Sequence, residues 1–78
     1  MSYHTCMIKV KNKFSTRFKE LREERKMSQA QIGKELGYTQ VCISRWESGE
    51  RMPNANDIIS VALFFNVSTD YLLGLMDL

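Results

Sequence analysis

Cysteine and histidine are scarce in this sequence of 78 residues, which contains two cysteines, Cys6 and Cys42, and one histidine, His4. Two cysteines cannot build a disulfide framework, and the single histidine does not give the spacing of a metal site. We therefore expect neither a metal nor a cofactor. The two thiols are expected to stay free in a reducing compartment, the cytoplasm.

Long apolar runs and catalytic arrangements are missing as well. The longest apolar run, Val61–Phe65, is far shorter than the roughly 20 residues that span a membrane. The first residues do not form a secretory signal. No Cys–His pair or carboxylate pair is arranged for acid–base chemistry and no glycine-rich phosphate loop occurs, so we do not expect an enzyme.

The composition is that of one small globular domain. Hydrophobic residues make up 44% of the chain and charged residues 26%, which is ordinary for a folded domain. A chain of 78 residues holds one core at most, so we expect no separate effector domain within it.

Basic residues are absent from the last part of the chain. All 11 Lys and Arg residues lie within residues 1–53, together with 6 of the 9 acidic residues, whereas residues 54–78 carry 3 acids and no Lys or Arg. The basic first part suggests an anionic partner, and the acidic, apolar last part suggests a different role.

Capping signals divide the sequence from about residue 15 into five short helices, the first expected over residues 15–25. Each of the next four opens on a side chain that can accept a backbone N–H and ends at a residue that tolerates the left-handed conformation. The caps are Ser28, Thr39, Asn54 and Ser68, and the stops are Gly37, Gly49, Asn66 and Gly74. We therefore predict an all-α, compact five-helix domain over residues 15–78, preceded by a basic tail of residues 1–14.

The connection between helices two and three is very short, because it consists of Gly37, Tyr38 and the cap Thr39. Two short amphipathic helices on such a connection must cross steeply, which is the geometry of a helix-turn-helix. Their buried residues are expected to be Ile32, Leu36, Ile43 and Trp46. Gly33 lies inside helix two, where glycine costs about 0.5–1 kcal/mol relative to alanine, and we expect another helix to pass close over it.

A family resemblance is carried by residues 28–49, which read SQAQIGKELGYTQVCISRWESG. This stretch resembles the lambda-repressor-like helix-turn-helix proteins, which include phage repressors, Cro proteins and small bacterial regulators. The resemblance extends from about Phe18 to Gly74. It departs from the family at Gly33, where alanine is usual, and in the N-terminal tail.

The resemblance implies a sequence-specific regulator that binds double-stranded DNA, most simply a prokaryotic or phage repressor on a palindromic operator. A restriction-modification controller or an antitoxin would be a variant of this function. Helix three would lie in the major groove. There a glutamine can pair with adenine, an arginine with guanine, a valine with the thymine methyl group and a serine with a base edge. The implied base-contacting residues are Gln40, Val41, Ser44 and Arg45.

Phosphate contacts are implied for Gln29, Lys34 and Arg51. Gln29 begins helix two, where free N–H groups and the helix dipole favour an anion, and it resembles the family residue that also braces Gln40. Arg22 and Glu47 resemble the family's internal ion pair, which ties helix one to the end of helix three.

The last part of the sequence has more apolar side chains than one core needs. A contiguous exposed apolar patch marks an interface, so we expect a two-fold homodimer through helices four and five. The residues expected at this interface are Ile59, Leu63, Leu73, Leu75 and Met76.

The tail of residues 1–14 has more than one interpretation. Ile8 and Val10 alternate with Lys9 and Lys11, which is typical of a short strand that pairs with another chain. A disordered basic arm that lies along DNA fits the same residues, and a start-site artefact is the remaining explanation.

The competing hypothesis is a protein-interaction module that keeps the helical fold without DNA recognition. It predicts no basic or hydrogen-bonding residues on helix three, and Gln40, Ser44 and Arg45 argue against it. Because a chain of this length has no room for a ligand-binding domain, we expect control through an antirepressor or another protein partner.

Overall fold

The fold consists of five α-helices. The structure is a computed structural model that describes residues 11–77. Its helices are α1 (Phe14–Glu24), α2 (Gln29–Leu36), α3 (Gln40–Ser48), α4 (Ala55–Phe65) and α5 (Thr69–Leu73). No strand occurs within residues 11–77, so the all-α, five-helix prediction is confirmed. The strand or arm predicted for the tail falls mainly on residues 1–10, which lie outside the described residues.

The first helix begins one residue earlier than predicted. The Asn12 side chain accepts the backbone N–H of Phe14 at 3.0 Å, which provides a start signal that precedes the predicted one. Phe14 is fully buried, so this residue of the predicted tail is part of the helical domain. The helix also ends one residue earlier, at Glu24, and Lys26 beyond it has a positive φ of 56°.

The predicted caps of the other four helices are confirmed. At α2 the Ser28 hydroxyl accepts the Gln31 N–H at 3.0 Å, and the Gln31 side chain accepts the Ser28 N–H at 2.7 Å. Asn54 and Asp57 form the same reciprocal pair at α4. All four predicted stops adopt the left-handed conformation: Gly37, Gly49, Asn66 and Gly74.

A cluster of aromatic rings holds α1 against α3. Phe14 and Phe18 stack with ring centroids 5.3 Å apart. Trp46 meets both rings edge to face at 5.8 and 5.7 Å, and each such pair contributes about 0.5–1.5 kcal/mol beyond area burial. The remaining core residues are Ile32, Ile43, Val61, Ala62, Phe65 and Leu72. The rings therefore fix which side of α3 faces inward.

The turn between α2 and α3 passes close to Gly33. A Cβ atom at Gly33 would lie 2.7 Å from the Tyr38 carbonyl oxygen and 3.4 Å from Ile43 Cγ1. The Gly33 carbonyl also accepts the N–H groups of Gly37 and Tyr38, at 2.8 and 2.7 Å. The backbone of the turn therefore makes the closest approach to Gly33. Helix α3 approaches it less closely, through the Ile43 side chain.

The same turn is tied to the start of α4 by a side chain. The Tyr38 hydroxyl donates to the carboxylate of Asp57, and the Tyr38 ring lies 4.9 Å from that of Trp46. The hydrogen bond to Asp57, together with burial and the negative charge of Asp57, raises the pKa of Tyr38 to about 12. The phenol thus connects the α2–α3 turn to α4.

None of the helices in the described part of the chain has the length and apolar character needed to cross a lipid bilayer.

The protein contains three tyrosines. Replacing Tyr38 with phenylalanine is expected to remove the phenol ionisation near pH 12 from their alkaline titration. The pKa of Tyr38 is raised from 10.0 to about 12, so its stabilising hydrogen bond is fully present below pH 10 and is lost as the pH rises towards 12. The difference in unfolding free energy between the wild type and Tyr38→Phe should therefore shrink over that interval. Phenolate absorbance and denaturant unfolding measure the two effects. A late phenolate step that persists in Tyr38→Phe would contradict this assignment.

Candidate nucleic-acid interface

Helix α3 has two faces of different character. Ile43 and Trp46 are buried. The other face carries the four predicted base-contacting residues, and every one of them is exposed: Gln40, Val41, Ser44 and Arg45. Residues at this spacing share one side of a helix, so the structure brings the four side chains together on one open surface.

The N-terminus of α3 is fixed by its cap. Thr39 lies in an extended conformation, and its hydroxyl accepts the backbone N–H of Cys42 at 3.1 Å. This bond holds Gln40 and Val41 in the first turn, at the positive end of the helix dipole. The first two candidate base contacts are therefore presented from a rigid part of the domain.

Arg22 and Glu47 form a nearly buried ion pair between α1 and α3. Arg22 Nε donates to Glu47 Oε2 at 2.6 Å and Arg22 Nη2 donates to Glu47 Oε1 at 2.9 Å, with side-chain exposures of 11% and 4%. The third guanidinium donor, Nη1, bonds the Met27 carbonyl at 2.7 Å. The hydrogen bonds to Glu47 raise the pKa of Arg22 above its ordinary value, although burial acts in the opposite direction.

The same carboxylate holds Gln29. Gln29 Nε2 donates to Glu47 Oε1 at 3.1 Å, so Glu47 accepts from both α1 and α2. The contact between Gln29 and Gln40 that the resemblance implies does not occur among the hydrogen bonds of the described residues. A carboxylate is a stronger acceptor than a carboxamide, and it lies within reach of the Gln29 amide. The sequence does contain a signal for the Gln29–Glu47 contact. Glu47 follows Trp46 and lies four residues after Ile43, so the helical spacing places its side chain at the edge of the buried face.

The end of α3 folds back on itself and creates a charged cleft. The Arg45 carbonyl accepts the Ser48 hydroxyl at 3.1 Å and the Arg51 N–H at 3.2 Å. An open cleft of about 210 Å³ lies between Arg45, Glu50 and Arg51, and Arg45 Nε is 4.0 Å from Glu50 Oε2. The sequence predicts roles for both arginines but gives no signal for Glu50.

The third candidate phosphate contact, Lys34, is exposed in the last turn of α2. It does not line the cleft between Arg45, Glu50 and Arg51. Of the three candidates, the structure therefore places Arg51 beside Arg45 and joins Gln29 to the ion pair, while Lys34 lies outside both groups.

Four of the five candidate dimer residues are exposed: Ile59 and Leu63 on α4, and Leu75 and Met76 after α5. The exposures of Leu63 and Leu75 are 76% and 75%. Leu73 differs, because it is partly buried and packs against the core. It lies in the last turn of α5 and packs towards the interior of its own domain, so the exposed candidates for the dimer interface are the other four residues.

An arginine of α1 holds the segment that carries Leu75 and Met76. Arg17 Nη1 donates to the carbonyls of Tyr71 and Met76 at 2.6 and 2.7 Å, and Arg17 Nη2 lies 3.1 Å from Asp77 Oδ1. Its guanidinium also stacks over the Tyr71 ring, 4.4 Å from the centroid. The exposed apolar residues after α5 are therefore anchored to the domain.

Two short helices crossing on a tight turn, with the second helix exposed on its polar face, define a helix-turn-helix module. The family model described as helix-turn-helix matches residues 18–72. The chain is 37% identical over 57 residues to the repressor protein C2 of Salmonella phage P22. It is 33% identical over 61 residues to the HTH-type transcriptional activator BcrR of Enterococcus faecalis.

One solved structure is that of a relative already named. The P22 c2 repressor protein in complex with synthetic operator 9T superposes with a TM-score of 0.73 at 33% identity, over 81% of this chain and 96% of that one. The chain therefore belongs to the lambda-repressor-like helix-turn-helix family of DNA-binding transcriptional regulators. The matched regions cover 73% and 78% of this chain but only 26% and 30% of the C2 and BcrR proteins. These relatives are regulators, in agreement with the expectation that the chain is not an enzyme.

Replacing Glu47 with glutamine is expected to lower the free energy of unfolding by on the order of 3 kcal/mol, because the nearly buried Arg22 charge loses its partner. The matched control is Glu23→Gln, since Glu23 lies 3.9 Å from the same guanidinium but is 58% exposed. An exposed pair contributes no more than about 1 kcal/mol. Urea unfolding followed by Trp46 fluorescence measures both variants. Equal losses for Glu47→Gln and Glu23→Gln would contradict the assignment of Glu47 as the main partner of Arg22.

Proposed function

We propose that this protein is a sequence-specific regulator of transcription that binds double-stranded DNA, most simply a prokaryotic or phage repressor. The observation that carries the proposal is the exposed face of α3, which presents Gln40, Val41, Ser44 and Arg45 opposite the buried Ile43 and Trp46. The similarity to a repressor solved in complex with an operator supports it.

The chemistry of the α3 face suits the major groove. A glutamine carboxamide can accept from and donate to adenine at once, and an arginine fork matches the two acceptors of guanine. In this proposal Gln40 and Arg45 make those contacts, Val41 packs against a thymine methyl group and Ser44 reaches a base edge. The four residues together read one half-site.

Phosphates hold the domain in register. Gln29 is the first residue of α2, where unpaired N–H groups and the helix dipole favour an anion. Its hydrogen bond to Glu47 occupies one of its two amide protons and leaves the second for a phosphate oxygen. Lys34 and Arg51 add exposed positive charges. These contacts supply affinity that does not depend on sequence.

A second copy of the chain is proposed to complete the operator-binding unit. The exposed side chains of Ile59, Leu63, Leu75 and Met76 supply an apolar surface, and Arg17 anchors the segment that bears two of them. The partly buried Leu73 contributes only its exposed edge. Two modules related by a two-fold axis would read two half-sites about 34 Å apart on a palindromic operator.

The alternative, a protein-interaction module without DNA recognition, is less well supported because hydrogen-bonding and basic side chains occupy the exposed face of α3. We further propose that the protein acts in the prokaryotic cytoplasm, bound to the nucleoid. An antirepressor or another protein partner is proposed to control it.

Selection from random duplexes at physiological salt is expected to yield a two-fold symmetric preferred site. Arg45→Ala should then cost about 1–3 kcal/mol and relax the preference at one base pair, whereas Lys34→Ala and Arg51→Ala should weaken all sequences alike and reduce the salt slope by about 1. Lys19→Ala, an exposed residue of α1, is the control for loss of one positive charge. Unchanged binding by Arg45→Ala, Lys34→Ala and Arg51→Ala would refute the proposed DNA surface.

Leu63→Glu is expected to shift the protein from dimer to monomer, because it places a charge on the most exposed apolar side chain of the proposed interface. Gln31→Glu is the matched control, since it adds the same charge on α2 while preserving the capping pair with Ser28. Sedimentation equilibrium without DNA measures the association constant. A wild type that sediments as a monomer at tens of micromolar would rule out a dimer formed in the absence of DNA.

A further inference from the structure

We infer that Glu50 is a specificity-determining residue, which orients Arg45 towards guanine and reduces the attraction of the surrounding surface for phosphates of any sequence. This inference rests on the proposed function, because it assigns the role of Glu50 through the base contact of Arg45. A carboxylate at this place is unexpected on a DNA-binding surface, since DNA affinity comes largely from neutralising phosphates.

The backbone around Glu50 is held in place by the end of α3. Gly49 ends the helix in the left-handed conformation with a φ of 82°. Glu50 N then donates to the Ser48 hydroxyl at 3.3 Å, and Arg51 N donates to the Arg45 carbonyl at 3.2 Å. Glu50 is thereby kept beside the last turn of α3.

The Glu50 carboxylate lies nearest to one particular nitrogen of the Arg45 guanidinium. Glu50 Oε2 lies 4.0 Å from Arg45 Nε, so the carboxylate approaches the side of the guanidinium that adjoins the aliphatic chain. The two terminal nitrogens remain available, and these can donate in parallel to the O6 and N7 atoms of guanine. Glu50 can therefore stay in contact with Arg45 while Arg45 reads a base.

The charge of the cleft gives Glu50 a second effect. Arg45 and Arg51 line the cleft with Glu50 between them in sequence, whereas the nearby Glu47 is occupied by Arg22 and Gln29. Without the Glu50 carboxylate, two guanidinium groups would face an open cleft and attract a phosphate from any duplex. With it, the net charge of these three side chains falls from two positive charges to one, which lowers this non-specific attraction.

Selectivity follows from the combination of the two effects. The charge of Glu50 beside Nε favours guanidinium orientations that leave the terminal nitrogens free, which lowers the entropy that Arg45 loses on binding guanine and benefits only the correct site. Repulsion of phosphates weakens binding to every duplex. Glu50 therefore lowers non-specific affinity more than operator affinity.

The test compares Glu50→Gln with the wild type on the selected operator and on a scrambled duplex of equal length, by fluorescence anisotropy over a series of salt concentrations. The ratio of operator to scrambled affinity is expected to fall by about fivefold, which is the size of effect of one exposed ion pair. Most of the change should come from tighter binding to the scrambled duplex. Glu35→Gln, an exposed acid on α2, makes the same change in total charge and should leave the ratio unaltered.

A double variant separates positioning from simple repulsion. In the Arg45→Ala background, Glu50→Gln should change both affinities by the same factor, because no arginine remains to be oriented. If Glu50→Gln raises both affinities equally when Arg45 is present, Glu50 acts by repulsion alone and the inference is overturned. If Arg45→Ala leaves base preference intact, the proposed base contact fails first, and the inference fails with it.

Discussion

The division of α3 into a buried face and an exposed face is the constraint on which the rest of the structure depends. Trp46 packs edge to face against the two stacked rings of α1, and Ile43 is fully enclosed. Because the helix has only nine residues, fixing these two side chains fixes its rotation. The opposite face is then determined, and it carries only exposed side chains that can contact a duplex.

Glu47 connects this packing to the proposed DNA contacts. It is on α3, it accepts two hydrogen bonds from Arg22 of α1, and it accepts a third from Gln29 at the start of α2. A single carboxylate therefore relates the orientation of α3 to that of the α2 N-terminus, where we propose that a phosphate binds. Stability and DNA binding share this group, so a loss of DNA binding at Glu47 has to be interpreted together with a stability measurement.

Most of the fold was predictable because its signals are local. The Ser28–Gln31 and Asn54–Asp57 pairs and the left-handed stops depend on neighbouring residues only, and periodicity alone identified Ile43 and Trp46 as buried. The start of α1 was predicted one residue late because the Asn12 side chain accepts the Phe14 N–H, a hydrogen bond that the periodic pattern does not contain.

The less predictable features depend on contacts between distant parts of the chain. Gln29 meets Glu47 across 18 positions of sequence, and residue spacing alone does not predict this partner. The contact of Glu50 with Arg45 requires the chain to reverse at Gly49, which fixes a distance that residue spacing does not give. Leu73 has the same apolar character as Leu75, and only the packing of α5 separates the two.

The most direct test of the account is methylation interference on a selected duplex, which distinguishes the two grooves. Methylation of guanine N7 blocks an acceptor in the major groove, whereas methylation of adenine N3 blocks one in the minor groove. We expect N7 methylation at the guanine read by Arg45 to abolish binding. Binding that tolerates N7 methylation throughout the site and is lost only on N3 methylation would contradict the assignment of α3 to the major groove.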